Sequence, residues 1–88
     1  MSEPESLIQY PTDFPIKVMG MNELGFEATI AGVIREHAPD FDAATIEVRE
    51  SSGGKYLSVT ATVYARSREQ LDAIYRALTS HPKVKVVL

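Results

Sequence analysis

The run Ser51-Ser52-Gly53-Gly54-Lys55, followed by Tyr56-Leu57-Ser58-Val59-Thr60-Ala61-Thr62-Val63-Tyr64-Ala65, decides the fold. Its second part alternates without a break. Leu57, Val59, Ala61 and Val63 fall on one side, and Tyr56, Ser58, Thr60, Thr62 and Tyr64 on the other. A period of two is the mark of a half-buried strand, and threonine and tyrosine suit a pleated surface. The paired glycines in front supply the positive φ that a hairpin reversal needs. The other arm of the hairpin is Thr45–Ser51, with Ile46 and Val48 inward and Thr45, Glu47 and Arg49 outward.

On each side of this hairpin the sequence places one strand and one helix. Upstream, Phe14–Met21 reads as a strand with Phe14, Ile16 and Val18 on one face. Pro15 stands near its start, where a missing donor matters least. Asn22–His37 reads as a helix with Asn22 as N-cap and Glu23 near its positive end, or with a later start at Gly25. Phe26, Ile30, Val33, Ile34 and His37 form its stripe, and Pro39 stops it. Downstream, Ser67 and Gln70 form a capping box, in which the hydroxyl takes one orphan N–H and the glutamine returns to another. Leu71, Ile74, Tyr75 and Leu78 are the buried stripe of the helix they open. Val84–Leu88 is the last strand, with Val84, Val86 and Leu88 inward against Lys85 and Val87.

The order is therefore β-α-β-β-α-β, an α+β chain. Two right-handed β-α-β halves interleave into a two-layer ferredoxin-like sandwich, a four-stranded antiparallel sheet with two helices on one face. The first and third strands are central and the other two are edges. Ile16, Val18, Ile46, Leu57, Val59, Val63 and Val86 should face the helices. Residues 7–88 form the single domain and residues 1–6 a flexible N-terminal tail.

Composition narrows the function. With 88 residues the chain supports one modest core. It has no cysteine, hence no disulfide, no thiolate nucleophile and no cysteine metal site, which fits a reducing compartment. Met1–Tyr10 carries Glu3 and Glu5 and no basic residue, unlike a signal peptide. No apolar run reaches the ~18–20 residues of a membrane helix. The chain reads as soluble and cytoplasmic, with no membrane contact. A net charge of −3 argues against a strongly basic nucleic-acid binder.

Several segments, Tyr10-Pro11-Thr12-Asp13-Phe14, Lys17-Val18-Met19-Gly20, His37-Ala38-Pro39, Ser51-Ser52 with Gly54 and Tyr56, Ser58-Val59 and the terminal Val87-Leu88, resemble in order the YbeD-like family of small bacterial proteins. The resemblance spans about positions 8 to 88. It implies a ferredoxin-like fold similar to the regulatory ACT domains, which bind small effectors such as amino acids. It brings no catalytic residues with it.

Three surfaces stand out. Gly20, Met21 and Asn22 join a central strand to a helix start, where unpaired N–H groups and the helix dipole favour a small carboxylate effector. The simpler reading is a turn glycine. The open sheet face should carry Lys17, Met19, Glu47, Arg49, Tyr56, Ser58, Thr60, Thr62, Tyr64, Lys83 and Lys85, locally basic. RNA-recognition domains of this topology stack bases on central aromatics. Here the first strand offers none, and Tyr56 and Tyr64 lie at opposite ends of the third. The sheet edges could pair with a partner protein or a second copy, unless Lys83 and Lys85 serve as edge protection.

Catalysis finds no support. His37, Asp40 and Asp42 match no metal-ligand spacing. Gly53-Gly54-Lys55 lacks the rest of a phosphate loop. No serine sits in a nucleophile elbow. The expectation is a non-enzymatic regulatory or interaction module, without cofactor or metal, that binds a partner protein or a small effector. The alternative is a weak RNA-binding module using the open face.

Overall fold

The structure, a computed structural model, describes residues 9–88; the expected tail at 1–6, and Leu7 and Ile8, lie outside them. Two long strands, β1 (Thr12–Met21) and β3 (Tyr56–Ala65), pair antiparallel along their whole length, from Thr12 opposite Ala65 to Met21 opposite Tyr56. Short strands flank them: β2 (Glu47–Glu50) beside β3 and β4 (Val84–Val87) beside β1, giving the antiparallel order β2-β3-β1-β4. Helices α1 (Phe26–His37) and α2 (Arg68–Thr79) make the second layer. The β-α-β-β-α-β sandwich is the one the alternation in β3 implies.

The core follows the same alternation. Ile16 and Val18 of β1 and Leu57, Val59, Ala61, Val63 and Ala65 of β3 are buried against Phe26, Ile30 and Ile34 of α1 and Leu71, Ile74 and Leu78 of α2. Each large aliphatic or aromatic side chain removed from water here contributes about 1.5–3 kcal/mol. Ser67 caps α2 by accepting from the Gln70 N–H at 3.1 Å. The Gln70 amide does not close the box on Ser67. Its oxygen accepts from the Arg66 N–H at 2.7 Å, and its nitrogen donates to the His37 carbonyl at 2.9 Å, tying the start of α2 to the end of α1.

The structure corrects four further expectations. First, Asn22 is not the cap of α1: the helix takes the later of the two expected starts, at Phe26 after Gly25 with φ 87°, and has no side-chain cap. Asn22 is engaged elsewhere: its backbone N–H donates to the Lys55 carbonyl at 2.9 Å and its side-chain amide to the Gly54 carbonyl at 2.8 Å. It stitches the end of β1 to the hairpin turn. Second, β2 is shorter than Thr45–Ser51, because Ala43–Thr45 forms a 3₁₀ turn whose start Asp42 caps, accepting from the Ala44 N–H at 3.0 Å. Third, Val48 is opposite Val59 and so on the helix side, yet it is 42% exposed, because the helices pack over β1, β3 and β4.

Fourth, β4 changes phase. Val87 opposes Val18 and Val86 opposes Met19, but Gly20 opposes Val84, which leaves Lys85 as an extra residue in a β-bulge. A one-residue slip exchanges the two faces of a strand. Val84 and Val87 therefore pack on the core, while Val86 and Leu88, expected inside, lie on the open face.

Gly20 is buried at this bulge. A Cβ on it would meet the Lys83 carbonyl oxygen and the Phe26 ring, both at 2.5 Å. Because the nearest atoms include backbone, Gly20→Ala is expected to cost about 1–3 kcal/mol by overpacking. Urea unfolding measures it, and an unchanged midpoint would contradict the packing described.

Candidate functional site: the open face of the sheet

Strand pairing arranges the face opposite the helices in rows. One row runs Glu47, Thr60, Lys17 and Leu88; the next runs Arg49, Ser58, Met19 and Val86; Tyr56 and Met21 stand beside them. Lys17 and Leu88 exchange both backbone hydrogen bonds, at 3.1 and 2.8 Å, which fixes Leu88 in its row. Val86 is 45% exposed and Leu88 64%. The β-bulge thus delivers two aliphatic side chains next to Met19 on a surface that alternation alone would have left to lysine.

Two shallow depressions mark this face. One of about 260 Å³ has Met19, Tyr56, Ser58 and Leu88 in its lining. The other, of about 360 Å³, is lined mainly by Glu47, Ser58 and Thr60. Lys17 and Arg49 line both, so the two adjoin. Among the described residues neither Lys17 nor Arg49 has an ion-pair partner. The site is therefore an apolar patch with two uncommitted cations beside it.

The other residues singled out by sequence are elsewhere or otherwise engaged. Lys83 precedes β4 and pairs with Glu23 at 3.3 Å. Lys85 is the extra residue of the bulge. Tyr64 stands at the far end of β3, opposite Asp13, under the Arg66 guanidinium at 5.3 Å from the ring centroid. Arg66 also holds Asp40 at 2.7 Å. On this face β1 presents Lys17 and Met19 and no aromatic, so there is no platform on which bases would stack. Among the described residues no group of three or more histidine, cysteine, aspartate or glutamate side chains could hold a metal.

Gly20, Met21 and Asn22 are contiguous, but their surroundings differ from an open helix start. The Phe26 ring fills the space over Gly20, and the Asn22 donors bind the hairpin. Behind the sheet, burial pushes the Tyr75 phenol above its ordinary value, and its hydroxyl donates to the Leu88 carbonyl at 3.4 Å. Sequence reasoning missed Val86 and Leu88. The available signal was the run Val86-Val87-Leu88, where alternation stops.

Residues 5–88 match the family described as Protein of unknown function (DUF493). A UPF0250 protein of Ralstonia nicotianae is 58% identical over 84 residues, covering 96% of this chain and 87% of the relative. A second, from Nitrosomonas europaea, is 52% identical, covering 96% and 97%. Among solved structures, the ACT domain from GTP pyrophosphokinase of Chlorobium tepidum superposes with a TM-score of 0.58 at 21% identity, over 88% of this chain and 97% of that one. At that identity the likeness concerns the fold. No helix among the described residues is long and apolar enough to cross a membrane.

The phase of β4 is open to measurement. Val86→Ser and Leu88→Ser should each change stability by no more than about 0.5 kcal/mol, as exposed positions do. Val87→Ser should cost about 1–2 kcal/mol, from lost burial and an unpaired hydroxyl. Denaturant unfolding of the three variants gives the ranking, and the reverse order would return Val86 to the core.

Proposed function

On the premise that the chain belongs to the DUF493 family and has an ACT-like fold, we propose that it is a non-enzymatic interaction module that docks a partner protein on the open face of its sheet. One observation carries this reading: Met19, Val86, Leu88 and Tyr56 form an accessible apolar patch beside the unpaired Lys17 and Arg49. Contiguous exposed apolar surface on a small domain marks a contact site. Methionine adapts its shape to what it meets. The two cations select a partner segment that carries carboxylates next to apolar side chains. Such a role fits the absence of cysteine and a cytoplasmic setting.

The chemistry of the face also favours binding over turnover. Its depressions are shallow, whereas sites that enclose a reacting molecule are usually deep. The two histidines lie at the helix ends: His37 closes α1, and His81, after α2, accepts from the Lys83 N–H at 3.1 Å. A small carboxylate effector at Gly20, Met21 and Asn22 is the weaker reading, because the Asn22 backbone N–H and amide already have partners.

A photo-crosslinking residue placed at Met19 tests the proposal in cells, with the same probe at Thr62, far along the same face, as control. The expected result is a discrete heterologous adduct from position 19, lost on Lys17→Glu and absent from position 62. Equal labelling at both positions, or none at 19, would overturn it. An adduct of twice the chain mass would identify self-contact instead.

A further inference from the structure

The apolar patch has side chains to offer a partner but no backbone. β1 lies between β3 and β4, and β3 lies between β2 and β1. Each N–H and C=O in a sheet points along the sheet toward a neighbouring strand, not out of its face. Lys17 and Leu88, for example, exchange both of theirs. An extended segment laid over Met19, Val86 and Leu88 would leave its own N–H and C=O groups without partners above apolar side chains, a cost that every residue of the segment repeats. A helix bonds its own backbone internally and has no such cost. We infer that the partner element docked on this face is an amphipathic helix with carboxylates along the flank that faces β2. The inference rests on the docking reading proposed above and names the partner for it.

The dimensions of the patch agree. It runs along β1 and β4, from Leu88 in the row of Lys17, through Met19 and Val86, to Met21 opposite Tyr56. That is about 13 Å at the rise of a strand, the length of about nine helical residues. Neighbouring strands stand about 4.8 Å apart, so a helix about 10 Å across covers β4 and β1 and reaches the border of β3. Over this length a helix presents apolar side chains at i, i+3, i+4 and i+7. The depression of about 260 Å³ beside Met19, Tyr56 and Leu88 receives one of them. Met19, unbranched and flexible, shapes itself to it.

Charge then orients the polar flanks of the helix. Arg49 stands beyond Ser58 on the β2 side of the strip, and Lys17 closes its far end beside Leu88. Neither has an ion-pair partner among the described residues, and both line the same two depressions. A carboxylate held over Ser58 lies between the two cations. Glu47, across Thr60 from Lys17, repels an acidic side chain placed farther along β2. The carboxylates of the partner therefore belong between Arg49 and Lys17. A basic amphipathic helix would cover the same apolar strip against two like charges, and complementarity of this kind sets which partner is accepted.

The probe is a hydrocarbon-stapled peptide of about fourteen residues, near 20 Å of helix. It carries leucines at i, i+3, i+4 and i+7 and glutamates along one flank. It is titrated into the full chain and followed by amide spectra. The expected result is saturable shifts grouped at Lys17, Met19, Tyr56, Val86 and Leu88. A twin with lysines in place of the glutamates should bind about tenfold or more weaker. Lys17→Glu in the chain should shrink or reverse that preference. A twin with a central proline, which breaks the helix, should cause no shifts on this face. No shifts with the glutamate helix, shifts centred elsewhere, or equal affinity for either twin would overturn the inference. If position 19 still gives its adduct in cells, such a result removes the helix and leaves the docking reading standing. Absence of that adduct overturns both.

Discussion

The close approach of the Phe26 ring and the Lys83 carbonyl to Gly20 is the constraint on which the surface of this domain depends. Gly20 sits near the end of β1, Phe26 opens α1, and Lys83 leads into β4. Three elements meet where one side chain is missing. The helix comes down onto the sheet at that point, and β4 enters opposite Gly20 one residue out of step. The exposure of Val86 and Leu88 follows from that entry. A glycine that reads as a turn residue, or as room for a ligand, is used instead to pack the chain against itself.

Most of the architecture was legible because the decisive signals were local. Alternation in Tyr56–Ala65, the paired glycines before it, the stripes of the two helices and Ser67 before Gln70 each depend on neighbours within one turn or one strand. What was not legible depends on neighbours far along the chain. Asn22 looks like a helix cap until the hairpin turn arrives with two carbonyls for it. Val48 obeys the alternation and faces the right way, yet its burial depends on how far the helix layer reaches. The face of Val86 depends on a register shift against β1. Of the candidate surface, Lys17, Arg49 and Tyr56 come together as alternation predicts, whereas Tyr64 and Lys83 are drawn off by Arg66 and Glu23.

The open face draws on all four strands. Met19 comes from β1 and Val86 and Leu88 from the end of the chain beside it, while Arg49 comes from β2, across β3 from them. Lys17 stands in the row of Leu88, and Arg49 in the row of Met19 and Val86.

The bulge at Lys85 has a consequence for how such a surface evolves. Val86 and Leu88 point outward because of the bulge that precedes them in β4, and only secondarily because of what they are. Pairing Lys85 opposite Met19, with no bulge, would leave every side chain of the patch encoded and turn the last strand over, hiding the two aliphatics and exposing Val87. The surface is written as a register as much as a composition. A family can keep its residues and lose its contact, or keep the contact through many substitutions, according to whether that register is preserved.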